Sequence, residues 1–338
     1  MPYKVTLIPG DGIGPEVAAA TVRAVDATGV SIAWEQVELT RDVIERSGSE
    51  LPQAVLDSLD RTRVGLKGPV TTPIAGGFQS VNVALRKRLD LFANVRPVRN
   101  MAGLKTRYSG TPIDLIIFRE NTEDLYAGLE HEVVKDVVTS LKVITRFASE
   151  RIARYTFAYA RREGRKRITA VHKANIMKLS DGLFLRCCRE VAKECPDIEY
   201  RELIVDSAAM HLVLRPETFD VLLMPNLYGD IVSDLVAGLV GGLGIVPGAN
   251  IGQNHAVFEA VHGSAPDIAG KGIANPTALM QSAVLMLGHL GEQQAAARLQ
   301  RAIERVYAEG TNLTPDLGGA ASTDQFTDAV VKAVESRT

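Results

Sequence analysis

The stretch Asn226 to Asp234 sets Asp230 and Asp234 four residues apart at the start of a predicted helix, so both carboxylates share one face. Like charges at that spacing repel unless a cation lies between them. A third carboxylate, Asp206, follows a predicted strand ending at Val205, and Ser207, Ala208 and Ala209 leave space around it. Three carboxylates with room for water and substrate oxygens suit octahedral Mg2+ or Mn2+ rather than zinc. Two solvated acids favoured by the helix dipole would account for Asp230 and Asp234 equally well.

Arg86, Arg96 and Arg119 are the candidate anion binders, and Arg119 closes an apolar strand where a solvated surface charge is unexpected. Guanidinium forks bind carboxylates bidentately, so convergence of the three implies a polycarboxylate ligand. Taken singly, each reads as a structural ion-pair partner. Lys173 ends another strand, and Tyr126 lies between Glu123 and Gly128. Near a bound cation both can have pKa values drawn toward neutrality, as proton transfer requires.

Two glycine-rich loops could face a cofactor. Gly10, Gly12 and Gly14 follow a strand and precede a helix, but Pro15 breaks the Gly-x-Gly-x-x-Gly pattern of a Rossmann loop, so a tight turn explains them as well as a phosphate cradle does. No P-loop pattern occurs. The loop from His262 to Pro276 offers backbone N–H groups, an imidazole and an acid, a set able to hold a dinucleotide, though an ordinary surface loop has the same composition.

The elements that position these residues alternate short apolar runs with amphipathic stretches, the pattern of an α/β protein with largely buried strands. Strands are predicted at Lys4 to Ile8, Ser31 to Val37, Arg63 to Leu66, Ile113 to Phe118, Ile168 to His172, Ile198 to Val205, Val221 to Met224 and Ala256 to Phe258. Helices are predicted at Glu150 to Arg162, Asp181 to Glu194, Thr277 to Leu290, Gln293 to Ala308 and Asp324 to Ser336. Turn-rich breaks at Val98 to Thr111 and Gly241 to Asn254 would let the chain leave a first domain and return to it. Between them, Glu132 to Thr145 alternates apolar and polar residues, which suits an exposed β-arm able to pair with a second chain.

Composition narrows the class. The 338 residues carry a net charge of −2 and are 46% hydrophobic, the make-up of a globular protein rather than a disordered or fibrous one. That balance argues against a nucleic-acid partner, which would call for a broad basic face. The uncharged stretch Leu235 to Phe258 holds too many Gly, Pro and Asn residues to span a membrane, and it reads as a helix end followed by a loop. Cys187, Cys188 and Cys195 are an odd set that reads as packing thiols in a reducing compartment. With an N-terminus unlike a signal peptide, the expected location is cytoplasmic.

The segments Gly10 to Glu16, Lys67 to Pro73, Phe118 to Gly128, Val171 to Met177, Asn226 to Asp234 and Glu259 to Gly270 together carry a resemblance. In that order they resemble the β-decarboxylating dehydrogenases, the family of isocitrate, isopropylmalate and homoisocitrate dehydrogenases, and most of all its members that use isocitrate and NAD. The resemblance covers essentially the whole chain. It implies an α/β fold of the isocitrate/isopropylmalate dehydrogenase kind, without a Rossmann fingerprint. A large domain would comprise 1–98 and 245–338, and a smaller one 99–244 with a clasp-like arm at about 124–146. It also implies a homodimer at minimum, with Lys173 and Asp206 reaching the neighbouring subunit's site.

By matching position, the resemblance implies that Arg86, Arg96 and Arg119 clamp substrate carboxylates, that Asp206, Asp230 and Asp234 ligate Mg2+ or Mn2+, and that Lys173 and Tyr126 transfer protons. Ser80 and Asn82 stand where isocitrate enzymes carry Ser and Asn to meet the third carboxylate, whereas isopropylmalate enzymes place apolar residues there. Homoisocitrate, one methylene longer, is the alternative substrate, with isopropylmalate behind it, and a regulatory subunit of a heteromeric enzyme is a further reading. Thr72, Asn175, Glu259, His262, Gly263, Ala265, Asp267, Ile268 and Asn275 are the implied cofactor contacts. Asp267 would accept bonds from ribose hydroxyls and repel a 2′-phosphate, and relatives using NADP carry Lys and Tyr at Asp267 and Ile268, with Tyr and Arg near Pro315 and Gly319. Those departures imply NAD.

Overall fold

The computed structural model describes residues 1–71 and 80–336. Its strands are β1 Tyr3–Ile8, β2 Ile32–Gln36, β3 Val64–Lys67, β4 Ala93–Arg99, β5 Asp114–Glu120, β6 Glu130–Val134, β7 Val137–Ser140, β8 Arg167–His172, β9 Glu199–Ile204, β10 Val221–Met224, β11 Pro247–Ile251 and β12 Ala256–Ala260. The helices are α1 Gly14–Asp26, α2 Arg41–Ser47, α3 Gln53–Thr62, α4 Val81–Arg88, α5 Arg146–Arg162, α6 Ser180–Lys193, α7 Val205–Leu214, α8 Asn226–Val240, α9 Thr277–His289, α10 Gln293–Glu309 and α11 Thr323–Glu335.

Ten strands form one sheet in the order β2-β1-β3-β12-β11-β4-β5-β10-β8-β9. At one end β2, β1, β3 and β12 run parallel, and at the other β5, β10, β8 and β9 do. Between the two ends, β11 pairs antiparallel with β12 and β4, and β4 pairs antiparallel with β5. Helices cover both faces, so parallel strands such as β10 are buried along their whole length and read as unbroken apolar runs. That is why the parallel strands inside the two edges, such as β5, β8 and β10, are legible in the sequence, while the edge strands β2 and β9 are only partly buried.

The two central strands β4 and β11 escape the sequence reading. Gly241 to Asn254 was expected to be loop, because Pro247, Gly248 and Asn250 disfavour strands, yet 247–251 lies fully buried in the sheet. Pairing on both sides overrides propensity, and Pro247 occupies the first strand position, where its missing N–H does least harm. Among the described residues no helix is long and apolar enough to cross a membrane.

The β-arm takes the form of an exposed antiparallel hairpin of β6 and β7, with Val133, Val134, Val137 and Val138 facing outward. A bridge between Asp124 and Val143 closes its base. The three cysteines are free and buried.

Candidate active site

A cavity of about 320 Å³ opens where the central strands meet α4 and α8. Ser80, Asn82, Arg86, Arg96, Arg119, Tyr126, Asp230 and Asp234 line it, together with Lys67, Asn94, Glu259, His262 and Gly263. Arg96 lies on β4 and Arg119 on β5, Arg86 on the last turn of α4, and both aspartates on α8. Gly229 lets α8 lie directly on Arg119, since a Cβ there would come within 2.5 Å of the arginine's own Cβ and Cγ.

The arginines are buried and only partly paired. Arg119 donates from Nε to Asn226 Oδ1 at 2.7 Å and from Nη1 to Asp230, while its Nη2 has no partner. Burial, then the nearby Arg86 charge, lowers the Arg119 guanidinium to about 10 against the pull of Asp230. Arg96 is lowered for the same two reasons. Its Nε meets Asn94 Oδ1 at 2.8 Å and its Nη1 meets Asp234 at 3.2 Å as well as the Ser233 hydroxyl. Arg86 reaches Glu259 at 3.3 Å and leaves Nε unpaired. The cations Lys67, Arg86, Arg96 and Arg119 thus face the anions Asp230, Asp234 and Glu259. The surplus is one positive charge, and buried guanidinium N–H groups that lack acceptors favour an anionic ligand.

Burial raises the Asp230 carboxyl, but Arg119, a hydrogen bond from Tyr126 and Arg96 outweigh it and hold the group below the usual range. In the chain by itself, burial and donation to the Asp230 carboxylate raise the Tyr126 phenol, because both favour the protonated form; the shift toward neutrality was expected beside a bound cation.

Nor do the three metal-site candidates meet within one chain. Asp206 sits at the exposed start of α7, where Lys173 Nζ donates to it at 2.5 Å and holds it below the ordinary carboxylate range. Neither residue lines the cavity, and among the described residues no group of three or more His, Cys, Asp or Glu could hold a metal ion. Exposed apolar side chains surround both places: Ile176 and Leu179 beyond Lys173, Met210, Val213 and Leu214 on α7, and Ile231 on α8.

The candidate cofactor residues divide. Gly10 and Gly12 take positive φ, and a Cβ on them would meet Pro69 O at 2.0 Å and Ser264 O at 1.9 Å. The turn therefore packs its neighbours closely, which favours the tight-turn reading. Ile13 N donates to Ser264 O at 2.9 Å, and the hydroxyls of Thr71 and Ser264 meet at 2.7 Å, so the 262–268 loop is tied to the loop after β3. His262 Nε2 is shut off from solvent without a partner. Ala265 has φ +39°, Asp267 is exposed, and Ile268 packs on the core. Asn275 donates to Asp316 at 3.0 Å, which joins this loop to the 314–319 turn. There Gly319 has no room for a side chain, since a Cβ would lie 1.9 Å from Leu313 O. Glu259, expected at the cofactor, is buried and spent on Lys67, Arg86 and Asn250. Asn175 is exposed and does not line the cavity, and Thr72 lies outside the described residues.

Sequence reasoning gave no role to Lys67, Asn94, Asn226, Ser233 or Asn250. Lys67 was findable, because a lysine ending the buried strand β3 is the same anomaly that marked Arg119. The amides carry no such signal.

Comparison with known proteins bears on this geometry. The isocitrate/isopropylmalate dehydrogenase family profile matches residues 4–330. NAD isocitrate dehydrogenase catalytic subunit 5, mitochondrial, of Arabidopsis thaliana is 54% identical over 97% of this chain and 88% of its own. The mitochondrial NAD isocitrate dehydrogenase subunit alpha of Homo sapiens is 52% identical over 98% of this chain and 90% of its own. The crystal structure of isocitrate dehydrogenase from Methylococcus capsulatus superposes with a TM-score of 0.94 at 51% identity, covering 98% of this chain and 99% of that one. The cytoplasmic expectation is corrected here, because the curated relatives are mitochondrial subunits. The thiols could not separate the two compartments, since cytosol and mitochondrial matrix are both reducing. A profile match over nearly the full length, relatives above half identity and a superposable structure give one conclusion: the chain belongs to the isocitrate/isopropylmalate dehydrogenase family.

Proposed function

We propose that this chain oxidises isocitrate with NAD and decarboxylates the product to 2-oxoglutarate, using Mg2+ or Mn2+. The observation that carries this reading is the cavity in which four cationic side chains face three carboxylates, with guanidinium donors of Arg86 and Arg119 left unpaired. A tricarboxylate supplies the missing acceptors. Arg86, Arg96 and Arg119 bind and orient it, and Ser80 and Asn82 at the start of α4 meet its third carboxylate. Asn82 Oδ1 is buried without a donor, which suits a neighbouring hydroxyl or amide N–H once the pocket is filled.

Asp230 and Asp234 would hold the divalent ion together with Asp206 of a second copy. Oxygen ligands fit a hard cation, and two of them stand in the cavity of each chain. The 262–275 loop would hold NAD, with the unpartnered His262 Nε2 as one free contact. When bound, the ion draws charge from the substrate's hydroxyl and adjacent carboxylate and NAD accepts the hydride from C2. Lys173 of the second copy, paired with its Asp206, would lie on the path by which the hydroxyl proton leaves. Tyr126 keeps a proton on its phenol oxygen through Asp230 and returns it to C3 after CO2 departs. The parts built from 1–98 with 245–338 and from 99–244 would act as the two domains flanking this cleft.

The test is a steady-state assay of the purified chain with isocitrate, homoisocitrate and isopropylmalate, each with NAD and NADP. A preference for isopropylmalate, or no turnover of any of the three, would overturn the reading. Ser80→Leu should lose far more kcat/KM toward isocitrate than toward isopropylmalate, because a donor to the third carboxylate gives way to apolar surface. Equal losses would remove Ser80 from the substrate tail.

Cofactor choice makes a signed forecast. Asp267→Lys with Ile268→Tyr replaces a charge that repels a 2′-phosphate by one that attracts it. The NADP/NAD ratio of kcat/KM should rise at least about tenfold, or about 1.4 kcal/mol. Full reversal is not expected, since Gly319 has no space for a further phosphate ligand. Saturation curves for both cofactors at fixed isocitrate and Mg2+ decide it, and an unmoved ratio would take Asp267 out of the ribose site.

A further inference from the structure

A row of polar side chains crosses the middle of the sheet, where apolar residues are the rule. The register sets Asn250 beside Asn94, and Asn94 beside Arg119, across β11, β4 and β5. Asn94 and Asn250 are each 1% exposed. A buried amide is costly unless bonded, and here the bonds form one directed chain. Arg96 Nε donates to Asn94 Oδ1 at 2.8 Å, Asn94 Nδ2 to Asn250 Oδ1 at 2.8 Å, and Asn250 Nδ2 to Glu259 Oε1 at 2.7 Å. On the other side of the same carboxylate, Arg86 Nη2 reaches Oε1 at 3.3 Å and Lys67 Nζ reaches Oε2 at 2.8 Å.

Chemistry dictates the orientation of both amides. A guanidinium can only donate, so the Asn94 atom facing Arg96 must be oxygen. An ionised carboxylate can only accept, so the Asn250 atom facing Glu259 must be nitrogen. Glu259 is ionised, because Lys67 and Arg86 overcome the burial that would raise it and hold it well below the usual carboxylate range. Both ends of the chain thus select the same amide orientations, and each bond polarises the next.

We propose that Asn94 and Asn250 are positioning residues. Through Glu259 they hold the guanidinium groups of Arg96 and Arg86 at a fixed separation, and that separation sets the enzyme's grip on its tricarboxylate. The proposal rests on the reading above that these arginines hold substrate. Asn250 is outside the cavity lining, and Asn94, which lines it, already gives its oxygen to Arg96 and one amide N–H to Asn250, so neither needs a bond to substrate to act.

The control lies in the same network. Asn121 Nδ2 also donates to Asn250 Oδ1, at 3.0 Å, and shares no bond with Arg96. KM for the tricarboxylate should rise about tenfold or more in Asn94→Ala and in Asn250→Ala, with kcat within about threefold and KM for NAD unchanged. Asn121→Ala should leave KM within about twofold while lowering thermal stability. Asn94→Asp, whose carboxylate still accepts from Arg96 Nε but cannot donate to Asn250 Oδ1, should raise KM as Asn94→Ala does. If Asn94→Ala does not fold, Asn250→Ala breaks the same chain from the other side. An unchanged KM in a folded Asn94→Ala or Asn250→Ala, the same rise in Asn121→Ala, or a wild-type KM in Asn94→Asp would overturn the proposal. The ratios are taken on whichever tricarboxylate the wild type turns over fastest. A wild type that prefers another tricarboxylate to isocitrate would count against the proposed function and leave these ratios readable.

Discussion

Asp230→Asn should slow turnover by about a thousandfold or more and weaken divalent-ion binding, since a neutral amide is a poorer ligand for a hard cation. The effect is expected to be this large because Asp230 serves three partners. It faces the proposed ion, accepts a hydrogen bond from the Tyr126 hydroxyl and, among the described residues, is the one carboxylate paired with the buried Arg119. The amide leaves Arg119 with Asn226 and an uncompensated charge, so isocitrate binding should change as well. The measurement is kcat against Mg2+ and Mn2+ concentration for wild type and variant, with circular dichroism to confirm the fold. A variant whose activation by the ion keeps the wild-type midpoint would remove Asp230 from the metal site. Chelation of the wild type should abolish activity, and either ion should restore it.

Two inactive chains should restore activity when mixed. Asp206 and Lys173 pair outside the cavity that holds Tyr126, Asp230 and Asp234, although the family resemblance assigns all five to one reaction. A second copy resolves the conflict if its Asp206 and Lys173 enter the first copy's cavity. Asp206→Asn and Tyr126→Phe would then each ruin a different half of every site. In a hybrid dimer one of the two sites receives both intact halves. Random re-pairing makes half of the dimers hybrid, so recovery should approach about a quarter of wild-type activity. Mixing after mild denaturation and refolding, with each variant refolded alone as control, reads this directly. No recovery, in a mixture shown by mass to contain hybrids, would mean that the site is completed within one chain.

The apolar surface favours the second copy. Met210, Val213 and Leu214 on α7, Ile231 on α8 and the valines of the β6–β7 arm are exposed, as is Asp206, whose partner Lys173 is half-buried. Exposed apolar area of this kind is what a covering partner would bury.

Much of the site was legible because it breaks local rules. Arg119 ends a run of buried apolar residues, and Asp230 and Asp234 repel at helical spacing; both anomalies are visible within a few residues of sequence. Buried parallel strands such as β8 and β10 were legible for the opposite reason, since burial on both faces writes an unbroken apolar run. Strands β4 and β11 were not, because Asn, Pro and Gly read as turn unless their partners are known.

The sequence by itself determined the α/β class, the outer strands, the exposed arm, the charged residues that line the cavity as candidates, and the family. These follow from side-chain type and spacing along a short stretch, or from motifs in a given order. The tertiary structure decided which charges meet. Lys67 and Glu259 are 192 residues apart in the chain and Asn94 and Asn250 are 156 apart, yet both pairs are in hydrogen-bond contact. Periodicity reports only which face a residue takes, and carries no information about a partner from a distant strand. Sheet order supplies that information, and here it placed Asp230 and Asp234 among the arginines while leaving Asp206 with Lys173 outside the cavity.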